Sequence, residues 1–236
     1  MQDKQLALAV QLHDEETFTS YHGETNNNAV VDLQRFIDRE LGDVNSLYLF
    51  GNSSVGKSHL LNAAATYANE KGLTALCLSL SELTTLSIEL LDGLESIDVI
   101  CFDDIGLIAS DQKWQQAIFD LYNRVVEQGK LIIISGNETA TGLKLTLPDL
   151  VSRLSWGLTL QVKPLTDEEK MAALRQRAAQ RGINIQQDST GYLFNRYSGD
   201  MKALIACLDK LDTLSIQSQR KITIPFIKEA LPELNA

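Results

Sequence analysis

Long hydrophobic runs are missing from this chain: none approaches the roughly 20 apolar residues that a bilayer-spanning helix needs. The N-terminus, Met1-Gln2-Asp3-Lys4, lacks the basic-then-apolar layout of a secretory signal. Cysteine is scarce. Only Cys77, Cys101 and Cys207 occur among 236 residues, without C-x-x-C spacing. They read as reduced core residues of a cytoplasmic protein rather than as a disulfide framework. An excess of positive charge is absent as well, the net charge being −10. Residues 1–164 carry 11 basic and 22 acidic side chains, and residues 165–236 carry 10 and 9. Neither part offers the strongly basic surface that non-specific DNA binding demands, so bulk charge points to protein and nucleotide partners. Internal repeats and low-complexity tracts are not visible either.

What is present is 44% hydrophobic residues, enough to bury a sizeable core. Residues 1–25 read as a tail leading into an extended segment. Val30, Leu33, Phe36, Ile37 and Leu41 recur at helical spacing and predict a helix over 27–41. Short apolar strands at 47–50, 75–80, 99–102, 131–134 and 158–162 then alternate with helical patterns at 57–71, 82–92 and 111–128. Ser81 is a plausible N-cap for the helix at 82–92, and Gly129 stops the helix at 111–128. Continuous rather than alternating apolar strands predict a five-stranded parallel sheet between helices. Pro164 marks a boundary. Beyond it, patterns at 166–181, 188–198, 200–215 and 225–231 predict a small all-helical domain.

Gly51-Asn52-Ser53-Ser54-Val55-Gly56-Lys57-Ser58 is a complete P-loop placed between a strand and a helix. The glycines let successive N–H groups turn toward phosphate oxygens, and the helix N-terminus adds partial positive charge. Lys57 supplies a cation to the outer phosphates and Ser58 a hydroxyl to Mg²⁺. The strand at 99–102 ends in Asp103-Asp104. Asp103 is placed to hold the metal, directly or through water, and Asp104 to orient a water nucleophile; alternatively the pair caps the following turn. Ser135, Gly136 and Asn137 end the next strand, where a polar side chain meets the γ-phosphate or its attacking water, or simply forms a turn. Arg153, judged by spacing alone, is a solvated surface arginine.

Together these segments resemble the AAA+ fold and its DnaA branch over nearly the whole chain. Thr17-Phe18-Thr19-Ser20-Tyr21 with Gly23 and Asn26 is similar to the stretch that frames the nucleotide base. Cys101-Phe102-Asp103-Asp104-Ile105 resembles the Walker B segment, and Leu147 to Leu158 the segment carrying the arginine finger. The chain stops at Ala236 without a DNA-reading domain, as do the shorter DnaA-related proteins of the Hda family. Its stretches Ile118 to Arg124 and Gln219 to Phe226 resemble theirs closely. Gln5-Leu6-Ala7-Leu8-Ala9-Val10 resembles the sliding-clamp motif of that family, with Val10 smaller than the usual Leu or Phe. Gly199-Asp200-Met201-Lys202 puts a lysine where the lid usually has an arginine; it keeps the charge but not the forked geometry.

The resemblance implies a clamp-binding tail at 1–12, an AAA+ domain at 13–164 and a helical lid at 165–236. It implies ADP or ATP with Mg²⁺ as cofactors, held by Phe18, Tyr21, Gly51, Ser54, Val55, Gly56, Lys57, Ser58, His59, Asn137 and Lys202, with Ser58 and Asp103 on the metal. Gln5, Leu6, Leu8 and Val10 would engage the β sliding clamp of DNA polymerase III, and through it DNA. Arg153 would act in trans on ATP bound to DnaA, with Asp104 as a second catalytic group. The implied role is negative regulation of replication initiation by converting ATP-DnaA to ADP-DnaA, with weak or absent ATPase activity of its own. A different class stays open: a helicase-loader-like ATPase that turns over its own ATP. Self-association is left open too.

Overall fold

The computed structural model describes residues 16–197 and 200–231. The chain divides into two compact units. The first, built from 16–18, 29–51 and 56–162, contains a five-stranded sheet. Its strands are β1 (Ser46–Phe50), β2 (Ala75–Ser79), β3 (Val99–Asp103), β4 (Leu131–Gly136) and β5 (Leu158–Gln161). They run parallel in the order β2-β3-β4-β1-β5. Val99, Ile100, Cys101 and Phe102 are each fully buried. Because successive strand residues face opposite sides, this burial means that both faces of the sheet are covered. The covering elements include α2 (Lys57–Glu70), α4 (Gln112–Glu127) and α5 (Pro148–Trp156). In α2 the apolar positions Leu60, Leu61, Ala64 and Ala68 are buried; in α4, Ile118, Leu121, Tyr122 and Val125 are.

Three local expectations change. Helix α1 spans Asn27–Ile37 rather than reaching 41. Arg39 turns left-handed (φ 61°), the Glu40 N–H bonds the Arg35 carbonyl and the Arg39 N–H the Phe36 carbonyl, which closes the helix end. The helix predicted over 82–92 is instead a short α3 (Leu80–Leu83) followed by 3-10 turns at Ile88–Leu91 and Leu94–Ser96. The Thr85 N–H bonds the Glu82 carbonyl and the Leu86 N–H the Leu83 carbonyl, three-residue steps that end the α-helical ladder, and the Thr84 and Thr85 hydroxyls add bonds to the Leu80 (2.8 Å) and Glu82 (2.7 Å) carbonyls. Ser81 does not cap: Ser79 holds the N-cap position without a side-chain bond, and the two hydroxyls pair with each other at 2.6 Å. The third change is an addition, α5, where Pro148 takes the first turn of a helix that strand-centred reading passed over.

The second unit comprises 19–28, 52–55 and the described residues from 163 onward. It holds α6 (Asp167–Gln180), α7 (Gln187–Arg196), α8 (Met201–Ser218) and α9 (Ile224–Ala230). Leu174, Leu193, Leu204, Leu208, Leu211, Phe226 and Ile227 form its core. Thr166 and Glu169 make a capping box at the start of α6, and Glu169 also accepts from the N–H and hydroxyl of Thr25. These bonds hold the Glu169 carboxyl below its ordinary pKa, the Thr25 N–H being the largest cause. Among the described residues no helix is long and apolar enough to cross a membrane.

Opposite the functional edge of the sheet, Asp98 ties three strands together. Its carboxylate accepts from the N–H and hydroxyl of Thr74 and from Lys130 Nζ, holding its pKa at about 2 instead of 3.8, with the Lys130 bond the largest cause. A depressed carboxyl pKa contributes stability above the unfolded value and loses it as pH falls through the folded one. Asp98→Asn is therefore expected to cost about 1 kcal/mol at neutral pH. In paired denaturant titrations the gap between variant and wild type should close as pH drops from about 4 toward about 2.

Candidate functional site

Strand β1 ends at Phe50, and the chain must reverse into α2 within six residues. Ser54 (φ 63°) and Gly56 (φ 97°) both turn left-handed to do so. Gly56 is the N-cap and has no side chain, so nothing from that position caps the first-turn N–H groups of the 14-residue α2. Such alternation of backbone handedness makes an anion-binding concavity, and the helix end adds to it.

Lys57 opens α2 and is buried, 7% exposed. Its Nζ donates to the Gly51 carbonyl (2.8 Å) and to Asn137 Oδ1 (2.9 Å). Burial lowers its pKa, while the charges of Asp103 and Asp104 act in the opposite direction. An ammonium withdrawn from water gains from any added anion nearby. A polyphosphate on the loop fits that requirement.

The carboxylates come from the end of β3, beside the end of β4. Asp103 Oδ2 accepts from the Ser58 hydroxyl and Oδ1 from the Ser135 hydroxyl, both at 2.6 Å. Ser135 is fully buried and also accepts the Asp104 N–H at 2.9 Å, so one hydroxyl orients both acids. Asp104 is itself left-handed (φ 60°, ψ 65°), a conformation that Asp tolerates better than most side chains. Its two oxygens accept from Asn137 Nδ2 at 3.1 and 3.3 Å. Asn137 thus stands between the Lys57 ammonium and the Asp104 carboxylate, its amide oriented by both. Gly136, just before it, admits no side chain, because a Cβ would lie 2.2 Å from the Tyr48 hydroxyl. Ser58 and Asp103 offer a hydroxyl and a carboxylate 2.6 Å apart. That small donor set suits Mg²⁺, which takes most of its ligands from phosphate and water. Among the described residues no group of three or more His, Cys, Asp or Glu could hold an ion alone.

Phe18 stacks edge-on against Tyr67 of α2 (5.6 Å), and His59 Nε2 lies 3.0 Å from the Thr17 carbonyl, so both fasten the entering segment to α2. Tyr21 bonds the Val55 carbonyl (3.4 Å) and accepts from Asn26 Nδ2 (3.0 Å); burial pushes its pKa to about 12. Buried Asn26 also bonds Lys163 through both its amide and carbonyl ends. Lys202 is exposed at the start of α8, its N–H on the Asp200 carboxylate. Gln5, Leu6, Leu8 and Val10, and Gly199, lie outside the described residues. Arg153 is exposed on α5; its carbonyl lies 3.3 Å from the Tyr122 hydroxyl, which is 2.7 Å from Ser46 Oγ. The guanidinium makes no ion pair among the described residues, in contrast to Arg124 with Glu95 and Arg181 with Asp209.

Sequence reading missed Gln115, a fully buried amide on α4. Its only sequence signal is a polar residue beside Trp114 on the inward face of an amphipathic helix.

The bacterial DnaA ATPase domain family matches residues 12–161, and the Hda lid domain family matches residues 167–231. Among solved structures, domain III of the replication initiation protein DnaA from Thermotoga maritima superposes with a TM-score of 0.79. It is 19% identical, over 93% of this chain and 97% of that one. AMPPCP-bound DnaA from Aquifex aeolicus gives 0.68 at 19% identity, covering 84% of this chain and 66% of that one. The Thermotoga maritima Holliday-junction branch-migration motor RuvB gives 0.69 at 15% identity, over 95% and 74%. At these identities the superpositions establish the AAA+ fold, and the two profiles together cover nearly the whole chain: the protein belongs to the bacterial DnaA ATPase-domain family and carries an Hda-type lid.

Proposed function

We propose that the protein is a negative regulator of replication initiation that offers Arg153 to ATP held by DnaA, converting ATP-DnaA to ADP-DnaA. The observation that carries this reading is the setting of Arg153. It stands exposed on α5 without an ion-pair partner among the described residues, while the helix backbone beneath it is fastened to Tyr122. A guanidinium so presented can stabilise charge developing on a phosphoryl group in a neighbouring molecule. Residues 1–12, with Gln5, Leu6, Leu8 and Val10 as anchors, engage the β sliding clamp and so bring the protein to DNA. The chain's own site holds ADP or ATP with Mg²⁺ through Gly51, Ser54, Val55, Gly56, Lys57, Ser58 and Asp103. Phe18 and His59 lie beside that nucleotide, whose state sets the conformation of the regulator. The setting is cytoplasmic.

A second reading draws on the Lys57–Asn137–Asp104 chain of hydrogen bonds, which holds an ammonium and a carboxylate on either side of one amide. In it the protein turns over its own ATP as a DNA-associated, helicase-loader-like motor, and Asp104 orients the attacking water. Steady-state turnover by the isolated protein, strongly raised by single-stranded DNA, would favour this second reading.

Arg153→Ala should leave folding and nucleotide binding unchanged and lower the stimulated rate of ATP loss from DnaA by about 10³-fold or more, the scale of arginine fingers. Single-turnover hydrolysis by ATP-DnaA with clamp-loaded DNA measures it, and unaltered stimulation would remove the finger assignment. Lys57→Ala is expected to weaken nucleotide binding by at least about tenfold, the loss of one charge-assisted contact. Titration with a fluorescent ADP analogue reads this directly, and unchanged affinity would contradict the assigned role of the loop.

A further inference from the structure

The amide of Gln115 has no exposure to solvent and uses its whole bonding capacity. Nε2 donates to the carbonyls of Ile108 and Ala109, each at 2.9 Å. Oε1 accepts from the N–H groups of Thr146 and Leu147, each at 2.9 Å, with the Thr146 hydroxyl at 3.3 Å. Its two ends therefore hold two different segments. Each segment leads to a functional group.

On the donor side, Ile108 and Ala109 close the 3-10 turn Ile105–Ile108, for which Asp104 is the N-cap residue. The Leu107 N–H bonds the Asp104 carbonyl and the Ala109 N–H bonds that of Gly106, so the turn moves as a piece with Asp104. The Asp104 carboxylate is held by Asn137, and Asn137 by Lys57. On the acceptor side, Thr146 and Leu147 deliver the chain into α5. Leu147 is the N-cap and contributes no side-chain cap, and Pro148 has no N–H. Gln115 thus holds the last two backbone N–H groups before the proline and sets where the helix carrying Arg153 begins.

An apolar side chain at position 115 would suit the inward face of α4, and a buried amide is stable only when every polar atom is paired. Directional bonding to both segments is what the amide adds. We propose that Gln115 is a positioning residue that couples the chain's own nucleotide site to the orientation of α5, so that the phosphate present at Lys57 and Asn137 governs how Arg153 is presented. This coupling rests on the finger role proposed for Arg153. An anion competing for Lys57 and Asn137 disturbs the Asn137–Asp104 bond, the 3-10 turn moves with Asp104, and Gln115 transmits the displacement to the start of α5.

Trp156 supplies a reporter, because it ends α5 and is 84% exposed, whereas Trp114 is 4% exposed and hidden from a quencher. In the full-length protein, acrylamide quenching of tryptophan emission should differ between the ADP form and the form loaded with AMPPCP, each with Mg²⁺. Gln115→Glu keeps oxygens for the Thr146 and Leu147 N–H groups but loses the donor pair facing Ile108 and Ala109. In that variant the difference should vanish while affinity for both nucleotides is retained, a separation that a merely structural role would not produce. Identical quenching of the two wild-type forms, or a difference that survives in the variant, overturns the proposal. Should the variant fail to fold, hydrogen exchange of the Thr146 and Leu147 amides in the wild type decides: nucleotide-dependent protection is expected, and equal protection overturns it. None of these readouts uses DnaA, so failure here is distinguishable from failure of Arg153→Ala in the stimulation assay.

Discussion

A lysine ammonium withdrawn from water at the C-terminal edge of a parallel sheet organises this protein. Lys57 is fixed between the Gly51 carbonyl and the Asn137 amide, and burial destabilises its charge while Asp103 and Asp104 support it. The sheet order explains why these groups can meet. Strand β1, which feeds the P-loop, lies next to β4, and β4 lies next to β3. Parallel strands end on the same side, so Gly51, Asn137 and Asp103 emerge as neighbours without long connecting loops. Ser135 completes the arrangement from within the core, fixing both acids through one hydroxyl.

Much of this was legible in the chain. Apolar runs such as Leu131 to Ile134 and Val99 to Phe102 announce strands buried on both faces, and the P-loop announces the turn from β1 into α2. The acids after β3 and Asn137 after β4 could be named as candidates, because a polar residue at the end of a buried strand is conspicuous. Sequence could not say that Asn137 would join Lys57 to Asp104, since strand order is a non-local property. The break in the region 82–92 was legible in principle: Thr84 and Thr85 are side chains that compete for helix carbonyls. The same holds for α5, where Pro148 and Asp149 are helix-start signals that were outweighed by the apolar strand after Gly157. Gln115 was hidden for a different reason. Its importance lies entirely in partners 6 to 32 residues away, and pattern reading assigns such a residue to the polar side.

The two kinds of residue at the site differ in how they are held. Lys57, Ser135 and Gln115 are buried and bonded within the sheet-bearing unit, whereas Arg153 and Trp156 project from it into solvent. Rigid internal polar groups set geometry, while exposed long side chains keep the freedom to engage another molecule. In the second unit the same economy recurs in Glu169, one carboxylate that both caps α6 and secures the backbone at Thr25.

The left-handed backbone of Asp104 has an evolutionary corollary. Asparagine and glycine accept that conformation as readily as aspartate does. A single codon change there to asparagine would therefore remove the negative charge without unsettling the strand or the following turn, and the new amide oxygen would still accept from Asn137. The charge beside Lys57 is thus separable from the backbone that carries it, so that one can change within this fold while the other stays.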